Sequence, residues 1–269
     1  MIVIKLGGAA ITDKTKLSVI NRKTITSTAK LLAKHRDYIL VHGAGSFGHI
    51  PVKKYNLKGP ITSRSQLIGY AKTKVSLLKL ENELVSILAK NQIPVAPVAA
   101  SSCLIADRGR IVSQDFAAIA SMLKLGLTPC IGGDLVQDVS LGASVVSGDQ
   151  IAVNLAIAFR ARRIIFGTDV DGLFTADPKL GREARLIPTL DLAKLKEWSQ
   201  KAGPANVPDA SGGMRGKLTE IIPAVKAGIP VIVVNLNKPQ RLERAITGKS
   251  VNGTKIHPYS TKALPLSHA

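Results

Sequence analysis

Tyr38-Ile39-Leu40-Val41-His42-Gly43-Ala44-Gly45-Ser46-Phe47-Gly48-His49 is the stretch that decides the fold. Its first four residues form a short apolar run that reads as a buried strand. Three glycines between Gly43 and Gly48 then break the run. An ordinary turn seldom needs all three, whereas backbone N–H groups freed of side-chain cover make a cradle for an anion. The N-terminus has the same pattern: Ile2-Val3-Ile4-Lys5-Leu6 ends at Gly7-Gly8-Ala9. Ligands of open parallel sheets collect outside the carboxyl ends of strands, so both segments are candidate site elements.

Working outward, apolar spacing predicts a helix over about 21–35, with Ile25, Ala29, Leu32 and Ala33 on one face. A long helix over about 65–90 lies between Pro60 and Pro94, and Val95–Val98 is a short strand. Residues 103–112 read as a hairpin turning at Asp107-Arg108-Gly109. A helix over about 116–125, a strand at Thr128–Ile131 and a hairpin over about 135–146 follow. The last units are a helix from Asp149 to about Phe159, a strand at Arg163–Phe166, a helix over 214–227 and a strand at Pro230–Val234. Strands alternating with helices predict an α/β fold with a mainly parallel sheet covered on both faces. With no internal repeat or linker, one domain of two lobes is expected, with a loose tail over 258–269.

At 269 residues and 45% hydrophobic, the chain can bury a large core. No apolar run approaches the roughly 20 residues that span a bilayer, and the N-terminus does not read as a signal peptide. Two cysteines, Cys103 and Cys130, fit a reducing compartment, so a cytoplasmic protein is expected. The formal net charge is +19, and between Lys14 and Lys79 fourteen Lys or Arg face one acid, Asp37. Such a charge attracts nucleotides and phosphate esters, or nucleic acid, or simply forms a solvated surface. The basic runs are not interleaved with aromatics, and no helix-turn-helix or RNA-binding signature occurs, so nucleic acid is not the expected partner.

Lys5 needs an anion, because an ammonium inside a buried strand is costly otherwise. The GxxxxGK[ST] phosphate loop is absent. His49 can donate a hydrogen bond to a phosphate oxygen. Ser147-Gly148-Asp149-Gln150 opens a helix, where Asp149 suits a cap and can at the same time orient lysines. The carboxylate-rich segment Gly167–Phe174 suits a ribose, a metal or a plain turn. Gly212-Gly213-Met214-Arg215-Gly216-Lys217 is a glycine loop opening a helix, with Lys217 in its first turn, where a bound anion would offset the helix dipole.

In this order, Lys5-Leu6-Gly7-Gly8, Gly43–His49, Ser147-Gly148-Asp149, Thr168–Gly172 and Gly212–Lys217 resemble the amino acid kinase superfamily. Within it, the GSFGH end of the loop and Ile11-Thr12-Asp13-Lys14 are similar to the archaeal-type isopentenyl phosphate kinases, with fosfomycin kinases as the nearest rival. The resemblance implies an open αβα sandwich, usually a homodimer. Its acceptor lobe would cover about 1–145 and its nucleotide lobe about 146–257. The γ-phosphoryl of Mg²⁺-ATP would pass to isopentenyl phosphate, in an alternative mevalonate route to isoprenoids. Lys5 and Lys217 would contact ATP phosphates, Lys14 would bridge toward the transferred group, and Asp149 would orient Lys5 and Lys217. Gly7, Gly8, Ala9, Gly45, Asp169, Phe174 and Gly213 would surround the nucleotide. His49 would bond the acceptor phosphate beside Ala44, Gly45 and Gly148. No residue is implied as a direct metal ligand. Ala44 and Ala9 depart from the glycine and serine common in relatives; Ala44 can offer its N–H only at negative φ. A non-enzymatic nucleotide or nucleic-acid binder is the remaining alternative.

Overall fold

The computed structural model describes residues 1–13, 15–176, 184–201 and 213–259. Strand β1 (Ile2–Leu6) is followed by one helical turn, α1 (Gly8–Ile11), and by α2 (Arg22–Leu32), whose first turn is capped by Asn21. Next come β2 (Tyr38–His42), α3 (Gly45–Lys54) and α4 (Arg64–Lys90), the last opened by a capping box between Ser63 and Gln66. Strand β3 (Val95–Val98) precedes the hairpin of β4 (Leu104–Asp107) and β5 (Arg110–Gln114). Helix α5 (Ala117–Lys124), β6 (Thr128–Gly132) and a second hairpin, β7 (Asp134–Asp138) with β8 (Gly142–Val146), lead to α6 (Gly148–Ala158). The remainder comprises β9 (Ile164–Thr168), β10 (Thr189–Asp191), α7 (Leu192–Lys201), α8 (Gly213–Lys226), β11 (Val231–Asn235), α9 (Pro239–Thr247) and β12 (Thr254–His257).

Eight strands form one sheet in the order β10-β12-β11-β9-β1-β2-β6-β3, parallel except where β12 runs against β11. The two hairpins form a separate four-stranded sheet, β5-β4-β7-β8. The large sheet is covered on both faces, as the alternation predicted. Strand period two sorts β1 between the layers. Ile2, Ile4 and Leu6 pack with Ile25, Leu32, Leu84 and Leu242 of α2, α4 and α9. Val3 packs with Ile151, Leu155, Leu218 and Ile221 of α6 and α8. Lys5 shares Val3's face by that alternation, so it enters the layer of α6 and α8. The carboxyl ends of β1, β2, β6, β9 and β11 all meet one rim of the sheet. The chain leaves β1 toward β2, while β9 lies on the other side of β1, which makes this the crevice-forming switch point.

Some elements were not anticipated. Residues from Gly45 onward, expected to be loop, are helix α3; its glycines and Pro51 hide the helical period. Gly45 takes φ +51 and swings the chain from strand to helix. Helix α9 carries a proline start and a left-handed Gly248 stop, a signature that polar composition obscured. The part of the 258–269 tail from residue 260 lies outside the described residues.

A Cβ on Gly45 would sit 2.2 Å from Thr12 Oγ1, in a backbone conformation that side chains rarely adopt. Gly45→Ala is therefore expected to cost about 2 kcal/mol or more, read as a fall in thermal midpoint. An unchanged midpoint would mean that this turn relaxes freely.

Candidate active site

Two lysines from distant parts of the chain converge on one carboxylate. Asp149 stands in the first turn of α6, but it is not the cap. Ser147 fills that role, its hydroxyl accepting the Gln150 N–H at 3.1 Å. The Asp149 side chain instead turns to the sheet. Lys5 Nζ lies 2.7 Å from Oδ1, and Lys217 Nζ donates to Oδ2 at 2.6 Å. All three side chains are largely buried. Lys217 Nζ also sits 5.0 Å above the Phe166 ring, and Phe166 is Lys5's register partner on β9. Burial alone would raise the Asp149 pKa, but Lys217 and Lys5 outweigh it and hold the carboxyl well below the usual range. One anion and two cations leave a net positive charge at the sheet rim. Lys217 stands one turn into α8, further from the helix start at Gly213 than the first-turn position expected.

The glycines around this pair are placed by close backbone approach. A Cβ on Gly7 would lie 2.6 Å from the Gly167 carbonyl oxygen, and one on Gly8 would lie 2.5 Å from the Gly45 amide nitrogen. A Cβ on Gly43 would meet the Gly8 nitrogen at 2.6 Å and stand 3.6 Å from Lys5 Nζ. A Cβ on Gly148 would meet the His42 carbonyl oxygen at 2.7 Å. Thr12 pins the two glycine turns together: its Oγ1 donates to the Gly8 carbonyl at 2.8 Å and accepts the Ser46 N–H at 3.1 Å. Ala44 takes φ −69, so its methyl causes no strain. Ala9 lies within α1 beside Gly8. His49 is half-buried on α3, one turn after Gly45.

His42 is fully enclosed; burial pushes its pKa down to about 4, and its Nδ1 lies 3.3 Å from the Gly43 carbonyl oxygen. It is a neutral packing group beneath the loop. Asp169 and Phe174 are half-buried on the segment after β9. Asp171, read from sequence as a possible ribose or metal group, is engaged otherwise. Its carboxylate accepts Asn235 Nδ2 at 2.8 Å and pairs with Arg241 at 2.8 Å and Lys238 at 3.3 Å. It clamps this segment to α9. Lys14 lies outside the described residues. Among the described residues no group of three His, Cys, Asp or Glu could hold a metal ion.

A buried cationic rim, lined by close-approach glycines at a parallel-sheet switch point, suits phosphate groups. The model of the amino acid kinase family matches residues 1–235, and the chain belongs to that family. It is 34% identical over 265 residues to the isopentenyl phosphate kinase of Methanothermobacter thermautotrophicus, covering 95% of this chain and 98% of that one. A second isopentenyl phosphate kinase, from Thermoplasma acidophilum, is 29% identical over 245 residues, covering 90% and 94%. An X-ray structure of isopentenyl phosphate kinase superposes with a TM-score of 0.83 at 32% identity, covering 95% of this chain and all of that one. The T. acidophilum product complex gives 0.80 at 26% identity, covering 96% of this chain and all of that one. Within the family, the chain falls with the isopentenyl phosphate kinases.

Removing the Asp149 charge leaves two buried ammonium groups facing each other. Asp149→Asn is expected to cost about 3–5 kcal/mol and to lower turnover by at least about a hundredfold. Because the folded pKa is depressed, the stability gap to wild type should be constant from about pH 5 to 8. It should shrink only below about pH 4, where the Asp149 carboxyl of the unfolded wild-type chain takes up a proton that the folded one still refuses. Thermal melts across pH check the sign; a gap that closes at neutral pH would refute the ion-pair reading.

Proposed function

We propose that this kinase transfers the γ-phosphoryl group of ATP to isopentenyl phosphate, giving isopentenyl diphosphate for isoprenoid synthesis. The carrying observation is the Asp149 carboxylate shared by Lys5 and Lys217 at the glycine-lined rim. The acceptor is itself a phosphate and already a nucleophile near neutral pH, so no strong base is needed. Its oxygen attacks the γ-phosphorus as the bond to the β-phosphate oxygen breaks and ADP departs. The obstacle is repulsion between two polyanions, and positioning with electrostatic stabilisation removes it.

In this reading, Lys5 and Lys217 hold ATP phosphates, Asp149 fixes both, and Lys14 bridges toward the transferred group. Gly7, Gly8, Ala9, Gly45, Asp169, Phe174 and Gly213 surround the nucleotide. Ala44, Gly45 and Gly148 border the acceptor phosphate, and His49 aligns it by a hydrogen bond. The division into an acceptor lobe over about 1–145 and a nucleotide lobe over about 146–257 follows from these roles. Magnesium would arrive with the ATP phosphates, and no residue of this chain is assigned to it.

We also assign a cytoplasmic homodimer. Cys103 and Cys130 are unpaired, and no helix among the described residues is long and apolar enough to cross a membrane. Leu67, Ile68, Val75 and Leu78 are exposed along one face of α4, a strip suited to a second copy by two-fold packing. Val75→Lys should lower the mass seen in light scattering to that of one chain, and a retained dimer would remove this face from the interface.

The test of the reaction is an ADP-release assay with isopentenyl phosphate, dimethylallyl phosphate, fosfomycin and simple carboxylates as acceptors. Isopentenyl phosphate should be preferred; preference for fosfomycin would overturn the reading. His49→Ala should lower kcat by roughly a hundredfold while the KM for ATP stays within about twofold. Wild-type turnover in that variant would take His49 out of the mechanism.

A further inference from the structure

Beside the acceptor loop lies a charged cluster with no place in the reaction so far. Tyr70, Lys74, Leu77 and Glu81 follow one another along a single stripe of α4 at helical spacing. Leu77 anchors that stripe to the loop: its Cδ2 lies 3.3 Å from where a Cβ on Gly48 would stand, next to His49. One turn earlier, Lys74 Nζ donates to Ser101 Oγ at 3.0 Å and to Asp134 Oδ2 at 2.5 Å. Asp134 is buried and opens β7 directly after Gly132-Gly133, and its Oδ1 accepts the Leu135 N–H at 2.8 Å.

That glycine pair forms the back wall of the acceptor loop. The Gly133 N–H donates to the His42 carbonyl at 2.8 Å. A Cβ on Gly133 would lie 2.9 Å from the Gly148 nitrogen, and one on Gly132 would lie 2.5 Å from the His42 ring. The Lys74–Asp134 pair therefore spans from α4, which packs on the front of the loop at Gly48, to the turn that packs on its back at His42 and Gly148. Glu81 faces the same pair. Burial, and then the Asp134 anion, push its carboxyl up to about 7 against the pull of Lys74. Asp134 is the direct ion-pair partner of Lys74, and loss of Lys74 would leave it buried without its cation.

We propose that Lys74 and Asp134 are positioning residues for the acceptor phosphate, their ion pair setting how closely α4 and the Gly132-Gly133 turn close on the loop that carries His49. The inference rests on the acceptor reading above, and neither residue touches ATP in it. Lys74→Met should raise the KM for the acceptor roughly tenfold or more while the KM for ATP stays within about twofold. Asp134→Asn, which keeps the shape, should give the same split, and Lys74→Arg should recover most of the loss. If Lys74→Met fails to melt cooperatively, Asp134→Asn decides. The acceptor used is whichever phosphomonoester the wild-type protein turns over, so a wrong substrate and a wrong positioning role show separately. The inference falls if the two KM values move together, or if neither moves.

Discussion

Asp149 places one carboxylate between two ammonium groups in an interior that would reject any of the three alone. A charge buried without a partner is destabilising on a scale comparable with the whole stability of a domain. Lys5 on β1, Asp149 on α6 and Lys217 on α8 therefore hold one another in register across the sheet-to-helix layer. The arrangement is pre-organised: the cations are already desolvated and aimed before a nucleotide arrives, so little reorganisation is left for the reaction itself. It also explains the shape of the rim, because backbone must reach these cations without side chains in between. Gly7, Gly8 and Gly43 meet that demand by contacts too close for a Cβ.

The strands were legible in the sequence because short β-branched runs ending at glycine have few other readings. Lys5 was legible for a stronger reason: an ammonium in a run of Ile, Val and Leu demands an anion somewhere. The residue types left Asp149 a candidate cap as well as a lysine partner; the resemblance implied the second role, and the structure puts its carboxylate on Lys5 and Lys217. Asp149 illustrates the limit of local reasoning. Asp at a helix start suits a cap, and only the neighbouring Ser147, which caps in its place, frees the carboxylate for the lysines. Asp171 went the other way, since its partners Asn235, Lys238 and Arg241 lie more than sixty residues downstream.

Helix α3 escaped because its first residues carry glycines chosen for close approach, and glycine has no side chain from which to read a helical stripe. The Lys74–Asp134 pair escaped for a different reason. Lys74 and Glu81 sit in the stripe of α4 that otherwise carries Tyr70 and Leu77. Charges within a semi-buried stripe were the available signal, but the surrounding excess of lysine drowned it.

Ala44 and Gly48 stand one turn apart, and a Cβ on Gly48 would come within 2.5 Å of the Ala44 methyl. The two positions share space for a single methyl group. Ala44 is therefore tied to Gly48, and the two sites cannot vary independently. Glycine at position 44 would relieve the nearest contact at position 48, leaving Leu77 at 3.3 Å as the next neighbour. Alanine there commits position 48 to glycine, and with it the close approach of α4 to the Gly43–His49 loop, for as long as the methyl remains.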